Sequence, residues 1–146
     1  MLKLRILGIP QSKQSARFRI AKKKTGANFI MSYQKKSVKD NEKNIAYDVK
    51  AQLPLDFIPF DEPIGVKVLF VFGPLKSWKK ATKLAFENNE LMYKQTKPDL
   101  TDNLMKGLFD AMNGIVFIDD SRISKVESQK VYGKVPRTEV EIYKLK

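Results

Sequence analysis

The chain has 146 residues, 42% of them apolar and 30% charged, which suits a single globular domain and excludes a disordered chain. It contains no Cys and no His, which excludes disulfides, thiol catalysis, Cys/His zinc sites and nucleases that use imidazole as a base. Any metal must therefore be held by oxygen ligands. The formal net charge of +12 is uneven, because residues 1–50 carry 13 basic and 3 acidic side chains, whereas 51–146 carry 15 and 13.

The basic N-terminal third indicates a polyanionic partner, most often nucleic acid. The alternative is a solvated lysine-rich surface that keeps the protein soluble. No apolar run approaches the length of a membrane span, and residues 1–10 lack the continuous apolar stretch of a secretory signal. We therefore expect a cytoplasmic protein with no membrane partner.

The first half of the chain alternates strands and a helix. Alternating apolar residues predict a strand at Leu2–Leu7. Two more strands, Arg17–Ala21 and Asn28–Ser32, are predicted around a basic turn in which Gly26 can take a positive φ. Apolar residues at helical spacing predict a helix over Ser37–Leu53, and a connector with three prolines follows it.

The second half opens on Ile64–Phe72, which is apolar on both faces and is typical of a strand in the middle of a sheet. Periodicity predicts two further helices and three further strands: Ser77–Phe86, Asp99–Asn113, Ile115–Ile118, Ile123–Tyr132 and Thr138–Leu145. We expect the last two strands to pair with each other, antiparallel. The order of elements predicts an α+β fold, a single domain with a mixed β-sheet packed by two or three helices.

Acidic residues flank the predicted helix and the short strand after it. At 100° per residue, Asp99 and Asp102 lie about 60° apart and Asp102 and Lys106 about 40°, so the three share one helix face. A strand returning along the helix would bring Asp119 and Asp120 to the same place. Four carboxylates that converge need a cation, and oxygen ligands favour Mg²⁺ or Mn²⁺. The alternative is a set of helix caps and surface acids.

An acidic metal site in a basic protein suits phosphodiester hydrolysis. The basic surface holds the nucleic acid backbone, and the metal lowers the pKa of the attacking water. Lys106 is placed to neutralise charge on the phosphate. Its alternative role is an ion pair with Asp102 one helical turn away.

The motif residues resemble the signature of the RusA family of Holliday junction resolvases, which are small phage and prophage endodeoxyribonucleases. The resemblance is dense over Lys97–Ile123 and is carried by Lys97-Pro98-Asp99, Asp102-Asn103-Leu104-x-Lys106, Asp110-Ala111-Met112-Asn113-Gly114 and Asp119-Asp120-x-x-Ile123. A looser match covers Pro10, Lys13 and Arg17. One departure is the spacing of the first two acids, since the family commonly has Asp-x-Asp where Leu100 and Thr101 separate them here.

The resemblance implies a Mg²⁺-dependent homodimer, with Mn²⁺ as a substitute, that nicks four-way DNA junctions in recombination and repair. It implies a single nuclease domain over residues 1–146, with the basic segment 9–36 as a candidate mobile element, in the nucleoid of a bacterial or phage-infected cell. The residues it implies are Asp99, Asp102, Asp120 and Lys106 for catalysis, Asp99, Asp102, Asp119 and Asp120 for metal binding, and Lys13 and Arg17 for DNA binding. Asp120 is favoured over Asp119, and Asp110 is expected to have a structural role.

Two other functions stay open at this point. One is a non-catalytic basic module that binds nucleic acid, and the other is a metal-dependent phosphodiesterase that acts on flaps or RNA. Trp78 and Tyr93 are candidates for stacking on unpaired bases, although single aromatic residues more often pack against the protein itself.

Overall fold

A computed structural model describes residues 1–12, 17–22, 24–33 and 36–146, and over 17–22, 29–33 and 36–38 it describes the backbone alone. The described chain contains six strands: β1 Leu2–Leu7, β2 Arg17–Lys22, β3 Asn28–Tyr33, β4 Ile64–Phe72, β5 Ile123–Tyr132 and β6 Arg137–Lys144. It contains three α-helices: α1 Lys36–Gln52, α2 Lys80–Glu87 and α3 Lys106–Met112. The α+β class predicted from the sequence is confirmed.

The main sheet has four strands in the order β1-β6-β4-β5. Strand β6 is antiparallel to both of its neighbours, and β5 runs parallel to β4, so the sheet is mixed. Strand β4 is interior, as its apolar faces predict, and Ile64, Val66, Val68 and Phe70 on its inner face are at most 3% exposed.

The predicted pairing of the last two strands is wrong, because β4 lies between β5 and β6. The connection after β5 passes over the end of β4, where the Gly133 N–H donates to the Phe72 carbonyl over 2.8 Å. The position of β4 between β5 and β6 gives this strand a hydrogen-bonded neighbour along each of its two edges.

The basic hairpin is confirmed as a separate two-stranded sheet of β2 and β3. Its turn contains Gly26 with φ of 86°, as its position in the sequence predicts. The predicted mobility of segment 9–36 falls in part on residues outside the described ones and stays a prediction.

Helix α1 and the helical segment ending in α3 cover the inner face of the sheet. Leu104, Leu108 and Met112, from the helical region ending in α3, are at most 2% exposed and join β4 in one apolar core. Val49 of α1 is fully buried in the same core. The outer face of the sheet is polar, with ion pairs such as Lys3–Glu141 at 3.7 Å.

The short strand predicted at Ile115–Ile118 is wrong, because this segment is a compact turn. The Ile115 and Val116 N–H groups both donate to the Met112 carbonyl over 3.0 Å, and Gly114 has φ of 77°. Phe117 forms single bridges to Asn113 and Phe60 and is fully buried. Val116 and Phe117 therefore fill the core from a turn. Four consecutive apolar residues were too few to distinguish a turn from a strand.

Replacement of Gly133 tests the crossover that places β4 in the centre. An added Cβ at Gly133 would lie 2.6 Å from Cγ1 of Val71, a stiff side chain that is 2% exposed. We expect Gly133→Ala to lower the free energy of unfolding by about 1–3 kcal/mol, measured by urea denaturation. Gly73→Ala is the matched control, since its Cβ would meet only Pro136 at an ordinary 3.5 Å. Equal stability of the two variants would contradict this account.

Candidate active site

The acidic motif lies at the start of a continuous helical segment. Residues 100–105 form a π-helix, in which the Leu104 N–H donates to the Asp99 carbonyl, five residues earlier, over 3.1 Å. Helix α3 continues directly from it. Leu104 and Leu108 are buried against the sheet, which fixes the orientation of the segment and leaves its other side facing solvent. Single π-turns within helices occur often at functional sites.

The carboxylates of Asp99 and Asp102 are exposed and are not used by the helix. Asp99 occupies the N-cap position in an extended conformation, but its side chain accepts no capping hydrogen bond. Within the described residues, no ion pair joins Asp102 to Lys106, whose side chain is also exposed. The two structural alternatives, a helix cap at Asp99 and an ion pair at Lys106, are therefore wrong.

The angular offset predicted between Asp99 and Asp102 is also changed. Asp99 precedes the helix, and a π-turn holds more residues than an α-turn, so the 60° offset of an α-helix does not apply. The extra residue that separates this pair from the Asp-x-Asp spacing is accommodated in the wider turn. Both acids remain at the solvent-exposed start of one rigid segment.

Two lysines that the motifs did not include hold the chain leading to Asp99. Lys130 Nζ donates to the carbonyls of Thr96 and Pro98 over 2.6 and 2.8 Å, and Lys94 Nζ donates to Thr96 Oγ1 over 2.9 Å. Hydrogen bonds from a charged donor are about twice as strong as neutral ones. Because Lys130 is on β5, it ties Asp99 to the sheet. No local pattern could have revealed a lysine whose partners lie 32 and 34 residues away.

The second acidic pair lies beside the start of β5, where residues 120–122 form a single 3₁₀ turn. Asp119 caps this turn by accepting a hydrogen bond from the Ser121 N–H over 3.3 Å. Hydrogen bonds from the Ser121 side chain and backbone hold the pKa of Asp119 below its usual value. Arg122 pairs with Asp61 over 2.8 Å, which anchors the turn to the connector before β4. Asp119 is thus committed to the turn, while Asp120 is exposed.

The structure does not bring the two acidic pairs into one cluster. In the described chain, no group of three or more Asp, Glu, His or Cys side chains is placed to hold a metal ion. The predicted convergence of the four carboxylates is therefore not present as a preformed cluster in the described chain. The roles of the individual acids stay predictions.

The donor set at the start of the helix still fits a weakly held hard cation. Mg²⁺ keeps several waters and is commonly bound by one or two carboxylates together with substrate phosphates. Asp99 and Asp102 supply two exposed carboxylates, and nothing softer than oxygen is nearby in a chain without Cys or His. The residues fit an ion whose coordination is completed by DNA, and they do not form a cage made of protein ligands alone.

Asp110 is half-buried on α3 and has interactions of its own within the protein. It lines a cleft against α1 together with Lys39 and Lys43. Whether Asp110 has a structural role or supports the residues around a metal stays a prediction.

The remaining predicted residues have different outcomes. Lys13 lies outside the described residues, and Arg17 is described only as backbone of β2, so their contacts with DNA stay predictions. Trp78 is half-buried and packs against Phe86 and Tyr132, with ring centroids 5.5 and 4.8 Å away. Tyr93 is 64% exposed and bridges to β5 through its backbone.

The sequence from residue 9 to residue 143 matches the family described as endodeoxyribonuclease RusA. The chain belongs to the RusA family. The match includes the whole helical segment and both acidic pairs, so the resemblance read from the motif is confirmed. The description of this family is that of an endodeoxyribonuclease.

The chain is similar to a curated protein of Bacillus subtilis (strain 168), the uncharacterized protein YqaN, with 36% identity over 82 residues. The aligned region is 55% of this chain and 56% of that protein, so the chain spans just over half the length of the relative.

Across the residues that the structure describes, no helix combines the length and apolar character needed to cross a membrane.

Proposed function

We propose that this RusA-family chain is a Mg²⁺-dependent endodeoxyribonuclease that resolves four-way DNA junctions by paired nicks. The observation that carries the proposal is that two acids of the motif are exposed and unused by the protein itself. Asp99 and Asp102 are exposed and take part in neither a cap nor an ion pair within the described chain, at the start of a segment whose other side is buried. Charged groups left without protein partners on a rigid element are available for a ligand.

In this proposal Asp99 and Asp102 hold the cation against the scissile phosphate. A bound Mg²⁺ or Mn²⁺ would withdraw charge from the phosphate and lower the pKa of the attacking water. Lys106, exposed at the first residue of α3, neutralises charge that builds up on the phosphate. Asp120 is the third catalytic acid, and because it lies outside a preformed cluster, its contribution depends on bound DNA.

Paired nicks on opposite strands require two sites related by a two-fold axis, so we propose a homodimer. The net charge of +12 supports attraction between this protein and the DNA backbone.

The test uses the purified chain and a synthetic mobile four-way junction. We expect symmetrical nicks with Mg²⁺ or Mn²⁺, loss of cleavage with chelator, and no comparable cleavage of linear duplex. Flap and RNA substrates distinguish a resolvase from another small phosphodiesterase. Equal cleavage of all these substrates, or cleavage that continues in chelator, would contradict the proposal.

A second candidate is a non-catalytic module that binds branched DNA. The specific observation in its favour is that the described residues contain no group of three acids placed to hold an ion. Under this alternative the chain binds the junction with steep salt dependence and never nicks it with either metal. The cleavage assay above therefore decides between the two.

A further inference from the structure

A groove next to the candidate active site combines apolar walls with lysines. It has a volume of about 290 Å³ and lies between α2 and the segment after β4. Pro74, Leu75, Trp78 and Phe86 supply its apolar surface, and Lys76 and Lys83 line it as well. Glu87 is the acidic residue in the lining. Nothing in the candidate mechanism uses this groove.

The aromatic wall of the groove is held rigidly. Trp78 contacts Phe86 on one side at 5.5 Å, and Tyr132 packs edge-on against it at 4.8 Å. Phe86 is 8% exposed, so the wall rests on the core, while Trp78 itself remains partly open to solvent. A fixed and partly exposed indole ring is a surface on which a nucleobase stacks.

The rim of the groove is strongly basic. Lys76, Lys79, Lys80 and Lys83 are all exposed and fall within eight residues of the sequence. None of them forms an ion pair within the described chain, although lysines elsewhere do so, such as Lys67 with Glu127 at 3.8 Å. This charge complements the phosphates on either side of a base, whereas a purely apolar peptide would leave it unmatched.

The groove is connected to the chain that carries Asp99. Tyr132, which packs on Trp78, accepts a hydrogen bond from Lys94 Nζ over 3.4 Å, and the same ammonium lies 5.2 Å from the centre of the tyrosine ring. Lys94 also binds Thr96, three residues before Asp99. A nucleotide in the groove would therefore lie on the same side of the molecule as the segment of the chain that leads to Asp99.

We propose that this groove binds an unpaired DNA base stacked on Trp78, with the flanking phosphates held by Lys76 and Lys83. The inference rests on the proposed function and deepens it, because it supplies a means of selecting branched DNA. Extruding a base costs least where stacking or pairing is already disturbed, and a branch point interrupts the continuous stack that a linear duplex keeps. The groove therefore favours binding of a base that has left the stack over binding of a base in a linear duplex.

Trp78 is the one tryptophan in the sequence, so its fluorescence reports on the groove directly. In chelator, to prevent cleavage, we expect oligothymidylate and a four-way junction to quench its emission, and linear duplex to leave it unchanged. An abasic oligonucleotide of equal length should bind without quenching, since it has phosphates and no bases. Equal quenching by the abasic strand and oligothymidylate would overturn the stacking.

The lysines are tested by the double variant Lys76→Gln/Lys83→Gln, whose exposed positions make misfolding no concern. We expect the slope of log affinity for oligothymidylate against log salt to fall by about 0.7 for each phosphate contact removed. The matched control is Lys43→Gln/Lys50→Gln, which removes the same charge from exposed positions on α1. An equal loss of slope in both double variants would show that only net charge matters and would contradict the inference.

Failure of this inference differs from failure of the proposed function. If the junction is cleaved with Mg²⁺ but Trp78 emission never responds to unpaired DNA, the groove assignment alone is wrong. If oligothymidylate quenches and no substrate is ever cleaved, the groove assignment is supported and the nuclease proposal is wrong. A change of emission with protein concentration alone would place a second copy of the chain in the groove and overturn the assignment.

Discussion

Asp102→Asn is expected to abolish Mg²⁺-dependent nicking of a four-way junction while binding of the junction survives or becomes tighter. The amide keeps the size of the side chain but removes the charge that would help to hold a cation against the phosphate. Loss of one electrostatic contribution of this kind typically lowers the rate by on the order of 10²–10³-fold. Binding improves or is unchanged because a negative group that faces the phosphate backbone has been removed.

The measurement pairs a nicking assay in Mg²⁺ with a gel-shift titration in chelator. Asp56→Asn is the control, since it makes the same change of charge at an exposed site in the connector before β4. The control should nick at the wild-type rate, and its melting temperature and that of Asp102→Asn should match the wild type. A nicking rate for Asp102→Asn equal to that of Asp56→Asn would exclude Asp102 from catalysis.

The fold was predictable wherever a segment was long and its pattern was strong. Strand β4 shows this, because its nine residues include one charged residue, Lys67, and place apolar side chains on both faces, which is typical of a strand inside a sheet. The strands that β5 and β6 pair with were not predictable from the alternation within β5 and β6. Each has one solvent-exposed face, which also suits the two strands of a hairpin. Their placement on either side of β4 is a tertiary effect, set by the strand with the largest apolar surface.

The sequence named candidate site residues, whose roles stay predictions, but it could not give their geometry. Of the residues in the motif, Asp102 and Lys106 lie on one helical segment and Asp99 immediately precedes it. The position of Asp120 depended on whether residues 115–118 formed a strand or a turn, and four apolar residues satisfy both. Helical periodicity also cannot distinguish a π-turn from an α-turn. The two differ in whether an N–H donates to the carbonyl five or four residues earlier.

Lys130 was beyond prediction for a different reason. Its local sequence in β5, Gln129-Lys130-Val131, is that of any lysine in a partly exposed strand. Its two partners are backbone carbonyls, which have no sequence signature, and only the folded chain brings them within reach. The same contacts make it a positioning residue for Asp99, and this role has a measurable consequence.

Lys130→Met is expected to slow nicking by about 10²-fold without weakening junction binding, because a displacement of about 1 Å at a reacting group has an effect of that size. Methionine keeps the aliphatic length of the side chain but cannot donate to the carbonyls of Thr96 and Pro98. The segment that carries Asp99 then loses its attachment to β5. We also expect the Mg²⁺ concentration that gives half-maximal nicking to rise, since one of the two proposed carboxylate ligands is no longer held in place.

The Mg²⁺ dependence distinguishes positioning from stability. A lysine that only stabilised the fold would lower the melting temperature and leave the Mg²⁺ requirement of the folded fraction unchanged. Lys125→Met is the matched control, because Lys125 lies on the same strand, is exposed, and contacts only Glu127 at 3.8 Å within the described chain. Lys130→Arg should restore part of the rate, since a guanidinium can donate to both carbonyls. If Lys130→Met and Lys125→Met have the same rate and the same Mg²⁺ requirement, Lys130 does not position Asp99, and the acids are held by the helical segment alone.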